Sequence, residues 1–234
     1  MRFEQHKTIA TLALGLGLAV STHASPITYA VTVNTSSIPG TAGSIDFNFN
    51  PGPFATQAAS LQILSFTSDG TLAGNCPCST GDVSGKLPAT LTFDNGAVFN
   101  DYFDDFKFGS TLSFSITLYG PALSSPDGVS TSGSTFAFSM FSNAAGTIPV
   151  LTTDTTDGFA ATISVNLDGT TTVNNFSTQT SVSPLNSTTP EPSTLTLVCI
   201  AALMMCCLRQ TKRRRSRASA LDLSPVPPVR RPAT

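Results

Sequence analysis

Leu112-Ser113-Phe114-Ser115-Ile116-Thr117-Leu118 alternates apolar and polar side chains without a break. A period of two puts Leu112, Phe114, Ile116 and Leu118 on one face of an extended chain and the hydroxyls of Ser113, Ser115 and Thr117 on the other. That is a strand with one face on a core and the other in water. The same alternation recurs at 27–33 (I-T-Y-A-V-T-V), 45–49 (I-D-F-N-F) and 136–141 (F-A-F-S-M-F). Further strand candidates are 61–66, 89–93, 105–110, 159–167 and 170–176. Turn pairs punctuate them: Asp69-Gly70, Asn95-Gly96, Asp127-Gly128, Asp157-Gly158 and Asp168-Gly169. Asp and Asn tolerate left-handed backbone and Gly has no Cβ to clash, so each pair favours a reversal. The last joins the clearest hairpin, 163–167 with 170–176. Eight to ten strands with one apolar face each bury those faces best as two sheets. The expected fold is all-β, an antiparallel β-sandwich, with the jelly roll as one arrangement of it. With 16 Phe and no Trp in the chain, Phe supplies the core bulk.

Outside this region the sequence changes character at both ends. Arg2 and Lys7 precede an apolar stretch at 9–20, followed by Thr22-His23-Ala24 before Ser25-Pro26. A charged start, a short apolar run and small residues at the cut make 1–24 an export signal, cleaved by signal peptidase between Ala24 and Ser25. At the other end Pro190-Glu191-Pro192-Ser193-Thr194 leads into an apolar span at 195–208 and a basic cluster of Arg209, Lys212, Arg213, Arg214, Arg215 and Arg217. As a helix the span rises about 21 Å, short of the ~30 Å hydrocarbon core, so this single transmembrane helix is a marginal anchor. Arg209 and Lys212 extend it by snorkelling, and the basic cluster acts as a stop that stays in the cytoplasm. The organisation expected is a signal peptide (1–24), a sandwich ectodomain (25–176), a Ser/Thr-rich stalk (177–189), a sorting signal (190–217) and a disordered Pro-rich cytoplasmic tail (218–234).

Charge and residue usage narrow the chemistry of the exported part. Between the two ends the only cations are Lys86 and Lys107, against eleven Asp and no Glu. A domain this acidic repels nucleic acid and anionic lipid, so nucleic acid is not an expected partner. His6 and His23 both lie in the leader, which leaves no His for a catalytic triad or a zinc site. The chain does not read as an enzyme, and no catalytic residue is assigned. Cys76 and Cys78 are the exported cysteines. The Cys-x-Cys spacing leaves a strained loop disulfide and a reduced pair both open. The densest acidic patch is Asn100-Asp101-Tyr102-Phe103-Asp104-Asp105. Asp101, Asp104 and Asp105 offer the hard oxygen ligands that calcium prefers, and calcium is the one cofactor in view. The plainer reading of the patch is a solvated acidic loop, with a weak calcium site as the alternative. A sugar-binding platform would need an exposed aromatic ring, for which Tyr102 is the best placed of the three tyrosines.

The C-terminal segment 190–217, with its Pro-Glu-Pro triplet, apolar span and Arg-rich stop in that order, resembles the PEP-CTERM sorting domain handled by exosortase. The resemblance covers roughly the last eighth of the chain. It implies export across the inner membrane, temporary anchoring, processing near Pro190, Glu191 and Pro192, and transfer to the cell surface or the medium. It also implies a Gram-negative setting of exopolysaccharide and biofilm, with extracellular polysaccharide as a partner. The ectodomain, through 34–53 and 118–128, is similar to a recurrent group of PEP-CTERM ectodomains of unassigned role. The tail beyond the basic cluster is longer than the family pattern. Together these readings make the chain an exported surface or matrix protein, structural or adhesive in role, with a calcium- or glycan-binding module as the alternative.

Overall fold

The computed structural model describes residues 26–74 and 79–185. The described strands are β1 (Ile27–Asn34), β2 (Ala42–Pro51), β3 (Ser60–Ser68), β4 (Thr71–Leu72), β5 (Ser79–Thr80), β6 (Val83–Gly85), β7 (Leu91–Asp94), β8 (Asp101–Lys107), β9 (Thr111–Tyr119), β10 (Ser134–Phe141), β11 (Phe159–Val165), β12 (Thr171–Asn175) and β13 (Thr180–Leu185). One helical turn, α1 (Pro121–Ser124), follows β9. Two antiparallel sheets form, in the orders β13-β1-β9-β3-β7-β6 and β12-β11-β10-β2-β8-β4, with β5 also on β8. Packed together they make the β-sandwich that the alternation predicts.

The stretch 112–118 lies in β9, near the centre of the first sheet, paired with β1 and β3. Leu112, Phe114, Ile116 and Leu118 are all buried while the intervening hydroxyls are half-buried. From the second sheet Ile45, Phe47, Phe49, Phe136, Phe138 and Ile163 meet them. Aromatic contacts join the sheets: Phe114 meets Phe47 edge-on at 5.2 Å and Phe138 at 5.2 Å, while Phe138 stacks on Phe47 beside it in the second sheet at 5.1 Å. Edge-to-face and offset rings are the favourable geometries for such pairs. In β3 the alternation breaks, and a bulge between Leu64 and Thr67 places Ser65 at φ 54°. The extra residue returns Phe66 to the core, 7 % exposed.

Two segments depart from the sequence reading. Strand β8 takes in the acidic patch, where a strand at 105–110 and a preceding loop were expected. Strand β13 takes six of the thirteen residues of 177–189, the expected stalk, and pairs along β1 from Thr28 opposite Leu185 to Val33 opposite Thr180. Thr180 is buried and Val182 packs against the core, enough to hold an otherwise polar strand. Pro184 is tolerated because β13 is an edge strand, where a missing N–H need not serve a second neighbour. The β11–β12 hairpin forms as expected, with the Asn166 N–H bonded to the Thr170 carbonyl and Gly169 at φ 81°. The leader, Cys76, Cys78 and everything from 186 onward, including the sorting triplet, span, stop and tail, lie outside the described residues.

The pairing registers assign each loop to an end. Loops 52–59, 95–100, 120–133 and 166–170 close one end, and Ile27 and Leu185 emerge there too. Loops 35–41, 108–110, 142–158 and 176–179 close the other. Among the described residues no helix is long and apolar enough to cross a membrane.

Candidate functional site

Because β8 is a strand, its acidic residues alternate between faces. Tyr102, Asp104 and Phe106 point inward; Asp101 and Asp105 take the outer face, opposite Asn48 and Ser44 of β2. The three carboxylates proposed as calcium ligands therefore do not converge. Asp104 is fully buried, and the Tyr102 hydroxyl donates to its Oδ2 at 3.3 Å. That hydroxyl in turn accepts the Leu87 N–H at 3.1 Å. Burial pushes the Asp104 carboxyl above its ordinary value, opposed by the hydrogen bonds from Tyr102 and the Gly74 backbone. Tyr102 is 2 % exposed, so its ring faces the core and cannot be a sugar platform. Asn100 is likewise a structural peg. Its amide donates to the Phe49 and Ala97 carbonyls at 3.0 and 2.9 Å, and its Oδ1 accepts the Asp82 N–H at 2.8 Å.

What the sandwich does bring together is Asp46, Asn48 and Asp101 on the outer face of β2 and β8. Ile45, Phe47 and Phe49 turn into the core, which sends Asp46 and Asn48 the other way. The surface around them is closely built: Ser44, Asn48, Ala137, Ser139 and Thr162 are all buried. Asp46 stands near Asp101, one strand over and diagonal in the β2–β8 register, and near Asn48, two residues along. Two carboxylates this close and this desolvated cannot both ionise cheaply. Burial, then the hydrogen bond to Asp101 and its charge, push the Asp46 carboxyl up to about 9, against a smaller lowering by Asn48. Asp101 is also raised, by burial, and is partly relieved by the Asp46 hydrogen bond. Both members of the pair are thus pushed towards the protonated form, Asp46 the more strongly.

This arrangement leaves acceptors over. Asp46 Oδ1 and Asn48 Oδ1 are buried with no hydrogen-bond partner. Buried carboxylate and amide oxygens are rarely left bare. The loop aspartates behave differently: Asp69, Asp127, Asp154 and Asp168 are held below the ordinary carboxylate range. The main donors are the backbone N–H groups of Thr111, Ser130 and Asp157 for the first three and the Thr170 side chain for Asp168. Asp69, Asp127 and Asp168 are turn-formers at their Asp-Gly pairs, and Asp154 holds the turn that leads to Asp157-Gly158. Asp46 and Asn48 were missed because polar residues at alternate positions read as a solvated face; nothing in I-D-F-N-F announces that this outer face is buried. Among the described residues no group of three or more His, Cys, Asp or Glu side chains is placed to hold a metal. Comparison with protein-family models, curated proteins and solved structures gives no match to this chain.

Proposed function

We propose that the chain is an exported, non-enzymatic surface or extracellular-matrix protein, anchored by its C-terminal span and processed by exosortase. Its role is structural or adhesive, in an exopolysaccharide or biofilm setting. The observation that carries this reading is the order of the chain: an export leader, one β-sandwich with Phe-rich packing, a Pro-Glu-Pro triplet, an apolar span and a basic stop. The position of β13 supports it, since the last described strand ends at Leu185, with four residues between it and Pro190 in the sequence. The six- and seven-stranded sheets are compatible with a jelly roll as the finer class. Fractionating cells with and without the processing enzyme tests the reading. The ectodomain stays with the membrane when the enzyme is missing and moves to the surface or medium when it is present. An intact tail beyond Arg217 on the mature surface form would overturn the processing step.

A second reading is favoured by the bare acceptors on β2: a hard divalent cation held by Asp46, Asn48 and Asp101. Carboxylate and amide oxygens are the donors calcium takes, and a cation there displaces the Asp46 proton. The melting midpoint at pH 8 then rises with millimolar calcium, by a few degrees at saturation, and Asp46→Asn abolishes the rise. No calcium-dependent shift in the wild-type chain sinks this reading.

A further inference from the structure

The sandwich carries most of its exposed apolar bulk at one end. Phe54, Val98, Phe99, Val129 and Leu167 are 72, 88, 53, 77 and 50 % exposed, and all five sit in the loops that close the Leu185 end. The sequence accounts for Phe as core, yet two of these are phenylalanines turned outward. The loops are tied to one another. Thr131 and Ser132 donate backbone N–H groups to the Ala55 carbonyl at 2.9 and 3.0 Å. The Asp127 N–H reaches Gln57 Oε1 at 3.0 Å, and Asn95 Nδ2 reaches the Gln57 carbonyl at 2.9 Å. Leu167 lines a small cleft with Thr56 and Ser130. Exposed apolar groups gathered at one end of a sandwich mark a place that meets something other than water.

Where the chain goes next selects the occupant. β13 delivers the backbone to this same end at Leu185, and only residues 186–194 separate it from the apolar span. Nine residues reach at most about 30 Å fully extended. If 195–208 spans a membrane, chain length alone keeps the end that carries the apolar loops within that reach of the bilayer. Its charge selects the lipid: Lys107 lies at the far end of β8, and the charged residues of these loops are aspartates, Asp127 and Asp168 among them. Such a surface is repelled by anionic headgroups and accepted by zwitterionic ones.

We propose that, while the chain is anchored, this end of the sandwich rests on a zwitterionic bilayer surface, with Phe54, Val98, Phe99, Val129 and Leu167 entering the headgroup region. Aromatic and branched side chains at a membrane interface bind in this way. The proposal rests on the reading of 195–208 as a membrane span, and the test separates the two. Because the chain contains no Trp, a single introduced Trp is the only indole in the protein. The full-length chain is reconstituted into phosphatidylcholine vesicles containing brominated lipid, in four versions: Phe54→Trp, Phe99→Trp, Ile148→Trp and Leu197→Trp. The expected result is quenching for Phe54→Trp, Phe99→Trp and Leu197→Trp and none for Ile148→Trp, which is exposed at the opposite end. Quenching of Leu197→Trp without Phe54→Trp and Phe99→Trp overturns the docking and leaves the anchor standing. No quenching in any version overturns both. Quenching of Ile148→Trp equal to that of Phe54→Trp also overturns the docking, because the contact would then have no preferred end.

Discussion

Replacing Phe47 with alanine lowers the unfolding free energy by about 3–5 kcal/mol, the range for emptying a buried aromatic site. For a domain of this size the melting midpoint falls on the order of 10 °C. Phe47 is fully buried and touches Phe114 across the sandwich and Phe138 beside it, so its removal opens a cavity and dissolves ring contacts in both sheets. Phe54→Ala is the matched control. Its ring is 72 % exposed, and the change stays within ~0.5 kcal/mol. Urea titrations of both variants should show a shifted midpoint with unchanged slope for Phe47→Ala and no shift for Phe54→Ala. A cost below ~1 kcal/mol at Phe47 would mean the sheets are held by something other than this cluster.

The second large effect is a stability that falls as pH rises, opposite to the usual carboxylate trend. Burial beside Asp101 pushes the Asp46 carboxyl up to about 9 in the fold, far above its ordinary value, so the folded state favours a proton that the unfolded state gives up. Its contribution is intact below about pH 4 and is lost progressively towards pH 9, in the same direction as the raised Asp101 and Asp104. Between pH 5 and pH 8 the loss is on the order of 1–4 kcal/mol. Asp69, Asp127, Asp154 and Asp168, all lowered, act in the opposite sense and only below the ordinary carboxylate range. Asn at position 46 cannot ionise, yet its amide can still donate to Asp101. Denaturation of Asp46→Asn should therefore give a flatter pH profile from 5 to 8 and a higher midpoint at pH 8. A wild-type profile that rises across this range would show that the pair is not desolvated as described.

The sandwich was legible wherever one face of a strand is core and the other is hydroxyl. Leu112 to Leu118 and Ile45 to Phe49 follow that rule residue by residue, and both land at sheet centres. β8 was displaced because Asp104 takes an inward position between Tyr102 and Phe106, so the alternation is interrupted where the strand in fact runs. The segment of β13 reads as stalk because its anchoring depends on Thr180 and Val182 finding room beside β1, which is a tertiary opportunity and not a property of T-S-V-S-P-L. The candidate site was half visible. Asp101 belongs to both the expected and the observed cluster, while Asp46 and Asn48 come from a strand 55 residues earlier in the case of Asp46, brought alongside by the β2–β8 register. Burial on the outer side of a sheet depends on neighbours that no local pattern encodes.

The end of β13 at Leu185 also decides what survives a cut. Severing the backbone anywhere after Leu185 removes no strand from either described sheet, so both sheets keep every described strand. Severing it before Thr180 instead strips β1 of a partner along its length and leaves a row of N–H and C=O groups open to another chain. A few residues of backbone thus divide a clean release, in which the freed body keeps its shape, from one that would seed aggregation.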